Sequence, residues 1–181
     1  TAPANWLPAV IEASQSGIPL ILISADRPPE LQDCGANQTI EQINLFGCHV
    51  RASHALGAPD PAFDPAYLHR LAARACEQAT WPHPGPVHIN QPFREPLLPL
   101  VDVPAGSHPT RIRIYPPSQA PAAGAIKELS AAISGRPGLI VCGQLDNNPE
   151  FASAVTQLAD KLSCPILAEP LSNLRYGKHS Q

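Results

Sequence analysis

Apolar residues recur at two spacings along the chain, one helical and one continuous, and the two alternate. Leu7, Val10 and Ile11 fall at i, i+3 and i+4, which predicts a helix over 4–16. Pro8 fits its first turn, where a missing N–H costs little, and Gly17 stands where a C-terminal cap belongs. An unbroken apolar run over 19–24 then predicts a buried parallel strand. Residues 25–38 carry Asp26, Pro28, Pro29, Gly35 and Asn37, so they read as a loop. Thr39 and Gln42 have capping-box spacing and predict a short helix with Ile40, Ile43 and Phe46 inward, ending near Gly47. An extended segment follows over 48–56. Asp64 and Pro65 read as cap and first residue of a helix to about 79, with Leu68, Leu71, Ala72 and Ala75 on one face. A strand over 85–89 ends at Asn90.

The rhythm restarts after a gap. Ile126, Leu129 and Ile133 align on a helix over 122–134, closed by Gly135. An apolar strand is predicted over 138–143. Asn148 and Pro149 open a helix to about 162 with Phe151, Val155, Leu158 and Leu162 in step, and a strand follows over 165–168. Helices alternating with short apolar strands imply an α/β fold of open parallel sheets covered on both faces. Between the two halves, seven prolines fall within 96–121 without a helical or strand period, as in a stiff, extended linker. The expected organisation is one unit over 1–98, a Pro-rich linker over 99–120 and a second unit over 121–181. The second has only two clear strands, thin for a parallel sheet, and is expected to continue past Gln181.

Composition narrows the function classes. Charged residues make up 15% of the chain and net charge is −3, with 12 scattered Lys and Arg. That argues against a nucleic-acid surface or a polybasic membrane patch. No apolar run approaches the roughly 18 residues of a membrane span. Five cysteines at irregular spacing, with no C-x-x-C, suit a reduced, cytoplasmic protein without a disulfide framework or zinc site. No signal peptide is visible, and the chain contains no Met, as a piece of a longer protein would allow.

In open α/β sheets ligands bind at the carboxyl ends of strands, which directs attention to the loop after 19–24. Arg27 is a cation next to Pro28 and Pro29, suited to bidentate contact with a carboxylate or phosphate. Asn37 and Gln38 offer paired amides. The same residues admit a plainer reading, with Arg27 paired to Asp26 and Asn37 capping a helix. Cys34 has no base at a recognisable offset and reads as structural. His83 and His88, separated by prolines, do not suit a metal pair. Residues 138–145 look like half of a dinucleotide loop but lack G-x-G-x-x-G.

The segments Thr1-Ala2-Pro3-Ala4-Asn5, Ala25-Asp26-Arg27-Pro28-Pro29-Glu30-Leu31 and Asp33-Cys34-Gly35-Ala36-Asn37-Gln38 closely resemble one family. So does the run from Gly85-Pro86-Val87-His88-Ile89-Asn90 through Gln91-Pro92-Phe93-Arg94-Glu95-Pro96-Leu97. It is the thiamine-diphosphate-dependent 2-succinyl-5-enolpyruvyl-6-hydroxy-3-cyclohexene-1-carboxylate (SEPHCHC) synthase family of menaquinone biosynthesis. The resemblance implies a transferase that decarboxylates 2-oxoglutarate and adds the four-carbon unit to isochorismate. It implies thiamine diphosphate and Mg2+ as cofactors of a longer parent, assembled as a homodimer or homotetramer. Residues 1–98 would be the C-terminal part of a pyrimidine-binding domain, and 121–181 the start of a Rossmann-like central domain. The activating glutamate and the Gly-Asp-Gly…Asn magnesium motif are not in this sequence. The chain alone is therefore expected to be inactive and to bind the cofactor weakly. By the same resemblance Arg27 takes a substrate carboxylate, and Asn37 and Gln38 orient substrate. The competing readings are another thiamine-diphosphate decarboxylase or ligase, acetolactate-synthase-like, and a non-catalytic α/β binding module.

Overall fold

A computed structural model describes residues 2–60, 62, 64–98, 112–115, 117, 119–145 and 148–176. The chain divides into two compact units, Thr1–Pro117 and Ser118–Gln181. Most of the 99–120 linker, and the tail from residue 177, lie outside the described residues.

The first unit holds helix α1 (Leu7–Gln15), strand β1 (Leu20–Asp26), strand β2 (Ala52–Ala55), helix α2 (Pro65–Thr80) and strand β3 (Pro86–Pro92). A 3-10 turn over Ala2–Trp6 precedes α1, so the regular helix starts three residues later than its pattern predicts. The three strands form a parallel sheet in the order β1-β3-β2. Parallel pairing follows from the helices and loops that carry the chain back between strands. The central strand β3 is the most buried, as a strand with neighbours on both edges should be. Val87 and Ile89 point to one face and pack with Ala75 and Ala79 of α2. His88 and Asn90 point to the other by strand alternation, where Phe46 meets the His88 ring edge-on at 4.9 Å and Trp6 stacks on Phe46.

Strand β1 departs from the expected continuous burial. Ile21 and Ile23 are 39% and 66% exposed, whereas Leu22 is half-buried and Ser24 buried. Register pairs Ile21 and Ile23 with Val87 and Ile89, so they share the α2 face. The apolar cluster under α2 is built from β3, Ala52 and Leu56 and leaves the β1 edge of that face open. On α2 itself the buried stripe is Ala75 and Ala79, with Leu68 and Ala72 exposed.

The short helix expected after Thr39 does not form. Residues 39–42 are irregular and 43–46 are turns. Gln38 and Asn44 adopt φ of 58° and 92°, which no right-handed helix accommodates. The Gln42 amide is drawn into the sheet by Ala25 O and Asn90 Oδ1 instead of closing a capping box. Phe46 is buried as expected, but Ile43 is 54% exposed.

The second unit holds helix α3 (Ala123–Ile133), strand β4 (Ile140–Cys142), helix α4 (Pro149–Leu162) and strand β5 (Ile166–Ala168). Strands β4 and β5 pair in parallel. Cys142, Val155 and Leu174 form the core, flanked by Ile140, Phe151 and Ile166. Asn148 caps α4 by accepting from the Glu150 and Phe151 N–H groups. The apolar stripe of α3 is aligned but uncovered, with Ile126 and Leu129 exposed and no buried residue in the helix. On α4, Leu158 is exposed and Ala159 takes the inward position.

Candidate functional site

The carboxyl ends of β1 and β3 open into a cleft of about 550 Å³ in the first unit. Arg27 lies just past the end of β1 and lines this cleft with Gln38, Gln42, Asp26 and Phe93. Arg27 and Gln38, eleven positions apart, are therefore brought to one cleft. Asn37 is exposed and is not among the lining residues. A smaller cavity of about 300 Å³ shares Arg27, Asp26 and Gln42 as walls.

The backbone of Arg27 is held at both ends. Its N–H donates to Asp26 Oδ1 at 2.7 Å, and its carbonyl accepts from Gln32 Nε2 at 3.2 Å. Pro28, buried behind it, fixes the next φ. Asp26 thus engages the main chain of Arg27 rather than its side chain. Among the described residues no carboxylate pairs with the guanidinium. A half-buried arginine lining a cleft, with no partner for its fork among the described residues, has the chemistry to receive a planar anion. Gln38 reaches the same cleft from a left-handed backbone conformation. A non-glycine residue held there costs free energy that the surrounding structure must offset.

Behind the cleft lies a buried polar network. Asn90 Nδ2 donates to Asp26 Oδ2 at 2.7 Å. That fixes the amide orientation, so Asn90 Oδ1 is the acceptor for Gln42 Nε2 at 3.1 Å and for the Ser24 hydroxyl at 2.8 Å. With its one proton given to Asn90, Ser24 Oγ can only accept from His88 Nε2, 2.7 Å away. His88 therefore carries its proton on Nε2. Its Nδ1 is the bare nitrogen, buried and without a hydrogen-bond partner. Burial pushes the His88 pKa below its ordinary value, with the Asp26 charge opposing weakly. The ring is neutral and held within the buried polar network.

Glu30 and Arg94 form an exposed ion pair, with Arg94 Nη2 donating to Glu30 Oε2 at 2.9 Å. The hydrogen bond from Arg94 holds the Glu30 carboxyl down to about 2. The pair ties the loop after β1 to the segment after β3. Cys34 is exposed and its thiol donates to Leu31 O, a contact within the loop. No group of three His, Cys, Asp or Glu side chains gathers among the described residues to hold a metal ion. No helix among them is long and apolar enough to cross a membrane.

Sequence reasoning missed Ser24, Gln42 and Asn90. The available signal was polar residues on alternate positions of otherwise apolar strands, Ser24 in β1 and His88 and Asn90 in β3.

No protein-family model matches the chain. Curated relatives do, over its full length. It is 64% identical to the SEPHCHC synthase of Dechloromonas aromatica, of which it covers 34%. It is 44% identical to the SEPHCHC synthase of Geobacillus kaustophilus, covering 32% of that protein. The synthase of Natronomonas pharaonis is 40% identical over 99% of the chain, which covers 35% of it. From end to end, then, the chain belongs with the SEPHCHC synthases as a segment of them, and it spans about a third of the length of the curated relatives it matches.

Proposed function

We propose that the chain is the part of a SEPHCHC synthase that receives a substrate carboxylate through Arg27. The parent is a transferase of menaquinone biosynthesis that decarboxylates 2-oxoglutarate and adds the resulting four-carbon unit to isochorismate. It works in the cytoplasm as a homodimer or homotetramer. The observation that carries this reading is a guanidinium with no carboxylate partner among the described residues, backed by a held backbone, in one cleft with the Gln38 amide. Both substrates are anionic, and localised cations and amides are what the binding of such molecules requires. Net charge need not be positive for this. Asn37 stands outside the cleft lining and on this reading orients substrate only from the loop above it.

On this reading the magnesium–diphosphate site lies elsewhere in the synthase, where the resemblance puts its Gly-Asp-Gly…Asn motif. Thiamine diphosphate, when bound, supplies the electron sink. It would be held by other parts of the synthase, and this chain's contribution lies on the substrate side. In that scheme residues 1–98 belong to the pyrimidine-binding domain, 99–120 to the linker and 121–181 to the central Rossmann-like domain.

The test is Arg27→Ala in the synthase that carries this segment. Removing a charged, bidentate contact is expected to lower turnover about a hundredfold or more while the fold persists. Arg27→Lys should recover little, because an ammonium cannot reproduce the planar fork. Unchanged steady-state kinetics in Arg27→Ala would overturn the reading.

A further inference from the structure

We propose that Asn90 is a positioning residue for the Arg27 cleft, acting through Asp26. The inference rests on the reading of Arg27 given above and names what aims it. Asn90 does not line the larger cleft. It is buried at the carboxyl end of the central strand, and each of its side-chain atoms serves a residue that does line that cleft. Nδ2 donates to Asp26, whose other carboxylate oxygen accepts the Arg27 N–H. Oδ1 accepts from Gln42. The Asp26 main-chain carbonyl also accepts from the Phe93 N–H at 3.0 Å, so the same residue fixes a third wall.

An asparagine suits this place for a chemical reason. Position 90 must give a proton to a carboxylate on one side and take protons from Ser24 and Gln42 on the other. Aspartate takes but cannot give unless protonated, and leucine does neither. A second carboxylate beside Asp26 would also place like charges in contact, and a half-buried pair resists ionising twice.

This logic is reversible, and the reversal is the test. With Asn at 26 and Asp at 90, every hydrogen bond finds a partner again. The amide at 26 accepts the Arg27 N–H and donates to the carboxylate at 90, which still accepts from Ser24 and Gln42. The variants Asn90→Asp, Asp26→Asn, the double swap and Arg27→Ala are compared in the synthase. In Asn90→Asp we expect KM for the carboxylate substrate to rise about tenfold, with a smaller change in kcat, because a misaimed group weakens binding before it blocks chemistry. The double swap should return KM to within about threefold of wild type. Asn90→Ser, which cannot reach Asp26, should match Asn90→Asp and serves if the latter fails to fold.

A double swap that is folded, by circular dichroism and melting temperature, yet keeps the raised KM overturns the proposal. So does an unchanged KM in Asn90→Asp and Asn90→Ser while Arg27→Ala is inactive. If Arg27→Ala is itself harmless, the reading of the cleft has failed and the positioning role falls with it, a result the Arg27 arm reports separately.

Discussion

At Gly85 an added methyl group would collide with a neighbouring side chain, and the cause is space rather than backbone freedom. A Cβ built there would lie 2.6 Å from Arg51 Cζ and 2.7 Å from Nη2, closer than real Cβ atoms come to anything. The guanidinium has to leave. In leaving it gives up Nε to His83 O at 3.0 Å, Nη1 to Ser14 Oγ at 3.1 Å and Nη2 to Ser14 O and Pro84 O, each at 2.8 Å. These bonds staple the end of α1 to the segment that leads into β3. Three nitrogens are involved, and Arg51 is exposed, so about 0.5–1 kcal/mol apiece is appropriate. Gly85→Ala should then cost about 2 kcal/mol, or roughly 10 °C in melting temperature for a unit of this size. The chain's two tryptophans, Trp6 and Trp81, both lie in the first unit. Their fluorescence in a urea or thermal melt therefore follows that unit alone. The decisive comparison is a double-mutant cycle with Arg51→Ala. Once the guanidinium is gone, the methyl group should cost little more. If the two losses simply add, displacement of Arg51 is not the cause and the argument is wrong.

Acidification should weaken the first unit through His88. Its folded pKa is below 6.5 and its unfolded value is about 6.5, so in that window the unfolded chain binds the extra proton. Stability should be full above about pH 6.5 and fall as pH drops below it. Melts at pH 7.5 and 5.5 should show that slope in wild type and lose it in His88→Gln. The exposed Glu30–Arg94 pair acts lower down. Its contribution is present above pH 4.5 and fades as pH falls toward about 2. In the second unit, Asn148→Ala removes the acceptor for two N–H groups at the start of α4 and should cost about 1 kcal/mol. Circular dichroism is the readout there, and an unchanged melt would refute the cap's role.

The elements that local chemistry determines were readable in the sequence. Asp64 and Asn148 are side-chain caps followed by proline, and α2 and α4 begin where those pairs stand. β1 and β3 fall on their apolar runs. What escaped was decided by contacts between distant residues. Thr39 and Gln42 satisfy a local capping pattern, but Asn90, 48 positions from Gln42, offers it a buried partner. A local preference worth about a kilocalorie yields to that. The stripe on α3 has helical spacing, yet spacing does not say what covers it. Arg27 and Gln38 could be singled out as candidates because a cation and an amide in a loop after a parallel strand suggest a binding site, and both line one cleft. Asn90 was not, because its value depends on a carboxylate 64 positions away.

The strand order carries a consequence for assembly in time. β1 and β2 share no hydrogen bonds, and β3, the last of the three in sequence, lies between them. Among the described residues, neither early strand has a partner until residues 86–92 arrive. The sheet closes in one late event, over a loop of some sixty residues on the β1 side. Such non-local pairing folds slowly, because chain entropy is lost before contacts reward it. A nascent chain stopped short of Pro86 would leave both strands without β3 on the edges it covers, a state suited to pairing with another chain. Anything that delays β3 therefore lengthens the interval in which aggregation competes with folding.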